Sequence, residues 1–318
     1  MSPQDVRSVA VIGTGSVGAS WAALFLARGM EVIAHDSGEG RAEPARALIV
    51  GAWPALRTLH LAEEAQPPLH RLRFVASAAK AAEVADVVQE NVPEQAALKA
   101  AVLGEISVAA APHKVILSST GGMAPSLLQS WCRHPERLVV LHPFNPSHLV
   151  PLVEVVGGEH TAPAVVQWAM DFARHIGKRP IQLKRETPGH MTNRLQFALM
   201  REAVHCLLEG VASANDIDTA VRCGLAPRWA LMGGLLTLHL AGGSGGMQGI
   251  LDHAGDAIEE WWTPLGPTHL DADTRGRLVA AAAEVARGAG VEQWVNWRDQ
   301  NLVQVLQLQR DIERGAPG

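Results

Sequence analysis

The segment LHPFNPSHLVPLVEVV (residues 141–156) contains two residues able to do chemistry, His142 and Glu154. PLVEVV has the near-continuous apolar character of a strand covered on both faces, where a lone carboxylate is costly. Glu154 therefore needs a partner. His142 closes the preceding apolar run, and histidine is the side-chain type most often used to take or give a proton in catalysis. With 14 histidines in the chain, most must be surface or satisfied core residues, so His142 draws its interest from the acid that follows it.

A second set of candidates lies near the N-terminus, in SVAVIGTGSVGASWAALFLARGMEVIAHD (residues 8–36). A short β-branched run turns through Gly13, Gly15 and Gly18, continues with helical periodicity, and ends in a second strand at Asp36. In this GxGxxG pattern Gly13 allows the tight turn, Gly15 lets the backbone approach a pyrophosphate, and Gly18 lets helix and strand pack closely. Ser16 and Val17 open the helix whose N-terminus faces the phosphates. An acid at the end of the second strand accepts hydrogen bonds from both ribose hydroxyls and repels a 2′-phosphate, so Asp36 predicts NAD rather than NADP.

Elements must exist to position these residues. At 318 residues the chain is too long for one ordinary core and suggests two domains. Its 47% hydrophobic and 19% charged residues describe a globular protein, and scattered basic residues with a net charge of −5 argue against a nucleic-acid partner. Cys132, Cys206 and Cys223 form an odd set without metal-ligand spacing, which predicts no disulfide framework, no zinc site and a cytoplasmic protein. The uncharged run from Ser8 to Ala27 superficially resembles a signal or membrane segment, but its glycines and hydroxyl residues break the apolar continuity. Further strand-like runs follow at residues 73–77, 86–92, 115–119, 138–144 and 151–156, with helical stretches between several of them. This is the pattern of a Rossmann-type doubly wound α/β sheet, with ligands beyond the carboxyl ends of its strands. RPIQLKRETPGHMTNR marks the change to an all-α C-terminal domain, with Thr187 as the predicted N-cap and Pro188 as the first helical residue. Met191, Leu195, Ala198, Leu199, Ala203, Cys206 and Leu207 follow helix spacing and predict a core face. The expected domains are residues 1–186, binding NAD, and residues 187–318, helical, for substrate and dimerisation.

Taken together, GTGSVG, QENVPE, SST, HPFNPSHLVPLVEVV and TPGHMTNR resemble the 3-hydroxyacyl-CoA dehydrogenase family over nearly the whole chain. VGAWPALRTLHLA, RLRFVAS, RWALMGGLLTLHLAGG and WRDQNLVQVLQ look most like its L-carnitine dehydrogenase branch, which neighbours the L-gulonate dehydrogenase and lambda-crystallin group and oxidises free hydroxy acids. The resemblance implies that His142 is the catalytic base and Glu154 its partner, orienting the ring and stabilising the imidazolium. It implies that Asn145 lies near the nicotinamide, that Glu94 and Lys99 contact the cofactor, and that Asn193 holds the substrate oxygen or the histidine. One departure stands out: the family usually has a serine after the threonine of its SST-like segment, and this chain has Gly121. Ser118, Ser119 or Thr120 is then expected to supply the hydroxyl, with Ser119 the first choice. The substrate expectation is a small 3-hydroxy acid, L-carnitine before L-gulonate or an uncharged acid. A 3-hydroxyacyl-CoA is disfavoured because residues 39–72 contain no lysine for its phosphates. Trp229, Trp261 and Trp262 suit a quaternary ammonium, and a catalytically idle crystallin-like protein is the alternative from another class. A homodimer through the helical half is expected, with no membrane partner.

Overall fold

The computed structural model describes residues 1–315 and divides into two compact units, Met1–Asn193 and Arg194 onward. In the first, β1 (Ser8–Ile12), α1 (Ser16–Ala27), β2 (Glu31–His35), α2 (Ala42–Thr58) and β3 (Leu72–Phe74) form one half of a sheet. The other half comprises α3 (Ala78–Val84), β4 (Val87–Glu90), α4 (Ala96–Ala109), β5 (Ile116–Ser118), α5 (Pro125–Gln129), β6 (Leu138–Pro143), β7 (Leu152–Gly157), α6 (Pro163–His175) and β8 (Arg179–Leu183). The strand order is β3-β2-β1-β4-β5-β6-β7-β8, parallel except where β7 runs antiparallel to β6. The chain winds outward in both directions from β1 and β4, and the glycine loop leaves β1 at that switch point, where such sheets bind ligands.

The strands are apolar on both sides because both faces are covered. On one face Trp21, Phe25, Trp53 and Phe172 from α1, α2 and α6 pack on the sheet, and on the other Ala81, Leu103, Ile106 and Leu128 from α3, α4 and α5 do so. Local signals set several helix starts: Ser77 caps α3 by accepting from the Lys80 amide, and Pro125 and Pro163 open α5 and α6.

The second unit carries most of α7 (His190–Leu208), then α8 (Ala214–Thr219), α9 (Ala226–Ala241), α10 (Gly246–Trp262), α11 (Ala272–Val285) and α12 (Val291–Glu313). A π-helical stretch precedes α9, and α9 is broken at Gly233, where φ is 72°. The expected doubly wound sheet followed by helices is what is found.

Two expectations are corrected at α7. Thr187 is not its N-cap: Gly189 and His190 take positive φ, and the His190 amide closes a turn onto the Thr187 carbonyl at 3.0 Å. Helical backbone therefore begins later, and its first amides are satisfied from elsewhere. The predicted core face is also largely uncovered, with Leu195 66% exposed and Met191 44%, while Val204 is buried.

Candidate active site

The antiparallel register of β6 and β7 sets His142 directly opposite Glu154. Cross-strand partners point to the same side of a sheet, so the hairpin alone brings the two together. His142 Nδ1 lies 2.9 Å from Glu154 Oε2, and beside an ionised carboxylate that nitrogen carries the proton and donates it. The second carboxylate oxygen accepts the Met191 amide at 3.1 Å, the Thr192 amide at 2.7 Å and the Thr192 hydroxyl at 3.0 Å. Glu154 is fully buried yet completely satisfied, capping the start of α7, where amides and helix dipole favour a negative charge. Burial pushes its carboxyl upward, but the hydrogen bonds from His142 and Thr192 and the charge of His142 outweigh it and hold the group below the ordinary range. The acid inside an apolar strand is thus explained by two partners, one on the neighbouring strand and one at a helix start.

The other ring nitrogen, Nε2, faces a loop after β5. A Cβ built on Gly121 would stand 3.1 Å from His142 Nε2 and 3.6 Å from Asn193 Nδ2. Asn193 Nδ2 donates to the Gly121 carbonyl at 3.1 Å, so His142, Glu154 and Asn193 are brought to one place. Glu94 ties the same loop from the far side, accepting the Thr120 hydroxyl and the Gly122 and Met123 amides at 3.2 Å each. Burial raises its carboxyl, but the Thr120 hydrogen bond, the Lys99 charge and the loop amides bring it below the usual value.

Two predicted residues sit differently from expectation. Lys99 is buried beneath the site, its ammonium held by both Glu90 oxygens at 2.9 and 3.1 Å and by the Val92 carbonyl at 3.1 Å. Its three protons are committed there, and it reaches Glu94 at 3.4 Å, so it braces the acid that braces the loop. Ser119 is not available as the substitute hydroxyl. Its Oγ accepts from Trp21 Nε1 at 3.0 Å and Gln89 Nε2 at 2.9 Å, and donates to Asn91 Oδ1 at 2.8 Å, which fills the hydroxyl's ordinary capacity.

A residue missed in the sequence is His190. It is fully buried, its ring centroid lies 5.2 Å from that of His142, and its Nε2–H donates to the Thr120 carbonyl at 3.1 Å. Its Nδ1 has no partner among the described residues. Burial lowers its pKa, which favours the neutral ring beside His142. The available signal was a histidine directly after a glycine in TPGHMTNR, two residues before the polar pair Thr192 and Asn193.

The glycine loop fits a dinucleotide. Gly13 has φ 82° and a Cβ there would meet the Asn91 carbonyl at 2.9 Å, while a Cβ on Gly18 would collide with the Gly13 carbonyl at 1.9 Å. A Cβ on Gly15 would meet nothing within 4 Å, which is the open approach a pyrophosphate requires, and no side chain caps the start of α1. Ser16 is exposed and Val17 half-buried at that helix start. Asp36 accepts the Thr14 amide at 2.7 Å and hydroxyl at 2.9 Å on one oxygen and the Gly38 amide at 2.9 Å on the other. Burial opposes its ionisation, but these contacts and Arg41 prevail and hold it low, leaving an anion with spare acceptor capacity. Asn145 is exposed just beyond β6. Trp229, Trp261 and Trp262 are 42%, 65% and 64% exposed, and no ring contact joins them among the described residues.

A doubly wound sheet with this glycine loop, and a carboxylate-backed histidine at the end of β6, define an NAD-dependent oxidoreductase acting on a CH–OH group. Two family models match in sequence, 3-hydroxyacyl-CoA dehydrogenase, NAD binding domain, over residues 8–187 and 3-hydroxyacyl-CoA dehydrogenase, C-terminal domain, over residues 189–279. The chain belongs to the 3-hydroxyacyl-CoA dehydrogenase family. A relative from Nocardiopsis dassonvillei named L-carnitine dehydrogenase is 45% identical, covering 98% of this chain and 94% of its own. One of the same name from Bacillus cereus is 40% identical over 100% and 96%. Among solved structures, 5-formyl-3-hydroxy-2-methylpyridine 4-carboxylic acid 5-dehydrogenase, described as an NAD-dependent dismutase, superposes with a TM-score of 0.82 at 30% identity over 97% of this chain and 99% of that one. The 3-hydroxybutyryl-CoA dehydrogenase of Escherichia coli gives 0.63 at 30% identity over 74% and 50%.

Proposed function

We propose that the protein oxidises the 3-hydroxyl of a small free hydroxy acid, with L-carnitine its first substrate and 3-dehydrocarnitine the product. The observation that carries the chemistry is the His142–Glu154 pair. Nδ1–H is committed to a carboxylate fixed by α7, which leaves the Nε2 lone pair free to take an alcohol proton. Bound NAD supplies the acceptor for the hydride that leaves the same carbon. As His142 becomes imidazolium, Glu154 stabilises the new charge without moving, because its other oxygen is already held by three donors. Asn193, anchored to the Gly121 carbonyl, keeps its amide oxygen and second N–H for the substrate oxygen. Asn145 would lie by the nicotinamide, and Glu94 and Lys99 would act on the cofactor side through the loop they brace.

The free-acid substrate is supported by the relatives named L-carnitine dehydrogenase and by the absence of lysine from residues 39–72, where a CoA ester would need basic side chains. A substrate panel with NAD tests it: L-carnitine, L-gulonate, 3-hydroxybutyrate and 3-hydroxybutyryl-CoA. L-carnitine should give the highest kcat/KM. Turnover of the CoA ester with none of the free acids would overturn the reading, and no NADH from any substrate would favour the idle protein.

The reading includes a homodimer. Among the described residues of the second unit only Val204, Val303 and Leu306 are buried large aliphatics, whereas Leu235, Leu240, Val279 and Leu308 are 78%, 57%, 72% and 59% exposed. Met200, Leu207, Leu278 and Trp294 also line an apolar cavity of about 480 Å³. Such apolar exposure calls for a covering surface, and a second copy of the same faces supplies it. Its three free cysteines suit the reducing cytoplasm, and no helix among the described residues is long and apolar enough to cross a membrane.

A further inference from the structure

We infer that His190 is a positioning residue for the reaction: its Nε2–H holds the Thr120 carbonyl and so fixes the loop that stands against the reacting nitrogen of His142. The inference rests on the reading of His142 as the base, and adds a second imidazole that works through the loop.

The chemistry of the ring comes first. His190 is fully buried, with Nε2 3.1 Å from the Thr120 carbonyl oxygen and Nδ1 without a partner among the described residues. A carbonyl oxygen only accepts, so the proton sits on Nε2 and Nδ1 keeps its lone pair. Burial lowers the pKa and favours this form, since a second proton would put an unpaired N–H in the interior. The backbone agrees. His190 takes φ 51°, a left-handed conformation uncommon for a residue with a Cβ, and such positions persist where their surroundings over-determine them. Here Glu154 accepts the next two amides, from Met191 and Thr192, while the Thr120 carbonyl takes the side chain.

The place of this contact gives it a function. Asn193, three residues on, donates to the neighbouring carbonyl, that of Gly121, at 3.1 Å. The opening of α7 therefore holds two successive peptides of the loop and, through Glu154, the carboxylate that orients His142. That loop has no slack towards the base, because a Cβ built on Gly121 would already stand 3.1 Å from His142 Nε2. Thr120 is itself only 1% exposed. Without the His190 donor its carbonyl would be buried and unpaired, and would turn to find another partner, carrying the Gly121 peptide with it. A misplacement of about 1 Å near reacting atoms costs on the order of 10²-fold in rate.

Three variants test the inference, because glutamine carries an amide N–H near the place of histidine Nε2–H, asparagine carries one near Nδ1, and phenylalanine keeps a ring with neither. His190→Gln should retain kcat within about 3-fold, whereas His190→Asn and His190→Phe should lose about 10- to 100-fold, with NAD affinity unchanged in all three. Equal losses in all three, the result expected of a ring that only fills space, overturn the inference. Wild-type kcat in His190→Phe or His190→Asn also overturns it. Thermal melting establishes which variants fold. If only His190→Gln folds, its kcat decides, retention upholding the inference and loss removing it. If none folds, ring 15N shifts of the wild type decide: the His190 proton on Nε2 upholds the inference, and a proton on Nδ1 overturns it. Near-normal kcat in His142→Ala would instead remove the reading of His142 as the base, and would leave the His190 tautomer as it was.

Discussion

His142 depends on Glu154, and Glu154 depends on amides from the start of α7, so the two side chains fail in different ways when replaced. His142→Ala removes the group placed to take the alcohol proton while leaving the glycine loop untouched. Steady-state kinetics should show kcat lower by about 10² to 10⁴, with NAD affinity by calorimetry nearly unchanged. Glu154→Gln keeps the shape but presents an amide to the Met191 and Thr192 N–H groups and can no longer stabilise the imidazolium, so rate and stability should both fall. The folded carboxyl titrates below its unfolded value, so its contribution is present at neutral pH and is lost as pH falls through the lower, folded value. Urea midpoints against pH should therefore lose part of their acid limb in the variant. At this scale the sequence was informative where a residue type clashed with its surroundings: an acid inside PLVEVV demanded a partner. It was silent where the meaning lay in convergence. Ser119 is saturated by Trp21, Gln89 and Asn91, three residues from separate segments that only the sheet brings together. His190 was hidden for the same reason, since its partner is the carbonyl of Thr120.

Among the elements, the link from β6 to β7 bears on the site through a lysine that the sequence did not single out. Lys178, just before β8, is buried with its ammonium on the Ser147 and Val150 carbonyls and 5.4 Å above the Trp21 ring. No carboxylate pairs with it among the described residues, and burial pushes its pKa down to about 7. The unfolded chain holds this proton more tightly than the folded one between about pH 7 and pH 10.5, so folding should gain stability as pH rises through that window. Lys178→Met should remove that gain, flattening the slope of unfolding free energy by up to about 1.4 kcal/mol per pH unit. It should also cost stability at pH 9, where two carbonyls lose their donor; a variant with an unchanged slope would show that the lysine is charged throughout. Strands and their order were legible because β-branched runs and the glycine turn are local signals. The start of α7 was not, because Thr187–Pro188 has the look of a helix entry while the one residue that receives the Met191 and Thr192 amides, Glu154, belongs to β7, far back in the chain.

For the whole molecule, the apolar face expected to be core in the helical half stands largely uncovered, with Leu195 66% exposed, and a second copy is the proposed cover. Sedimentation equilibrium at micromolar concentration should give twice the chain mass of 33.9 kDa, and Leu235→Glu, placed at a 78% exposed position on α9, should shift the mass toward the monomer. A monomeric wild type would contradict the dimer. The change of architecture was placed at residue 186, whereas the compact first unit runs to Asn193 and takes the opening of α7 with it. That difference has a consequence for recombination between relatives. A chimera joined after residue 186 would ask one parent's buried Glu154 to accept amides from another parent's helix start, and any misfit would leave a carboxylate stranded in the sheet. A crossover after Asn193 inherits the acid, its helix cap and the asparagine as one block, so the natural unit of exchange for this cluster is the first 193 residues.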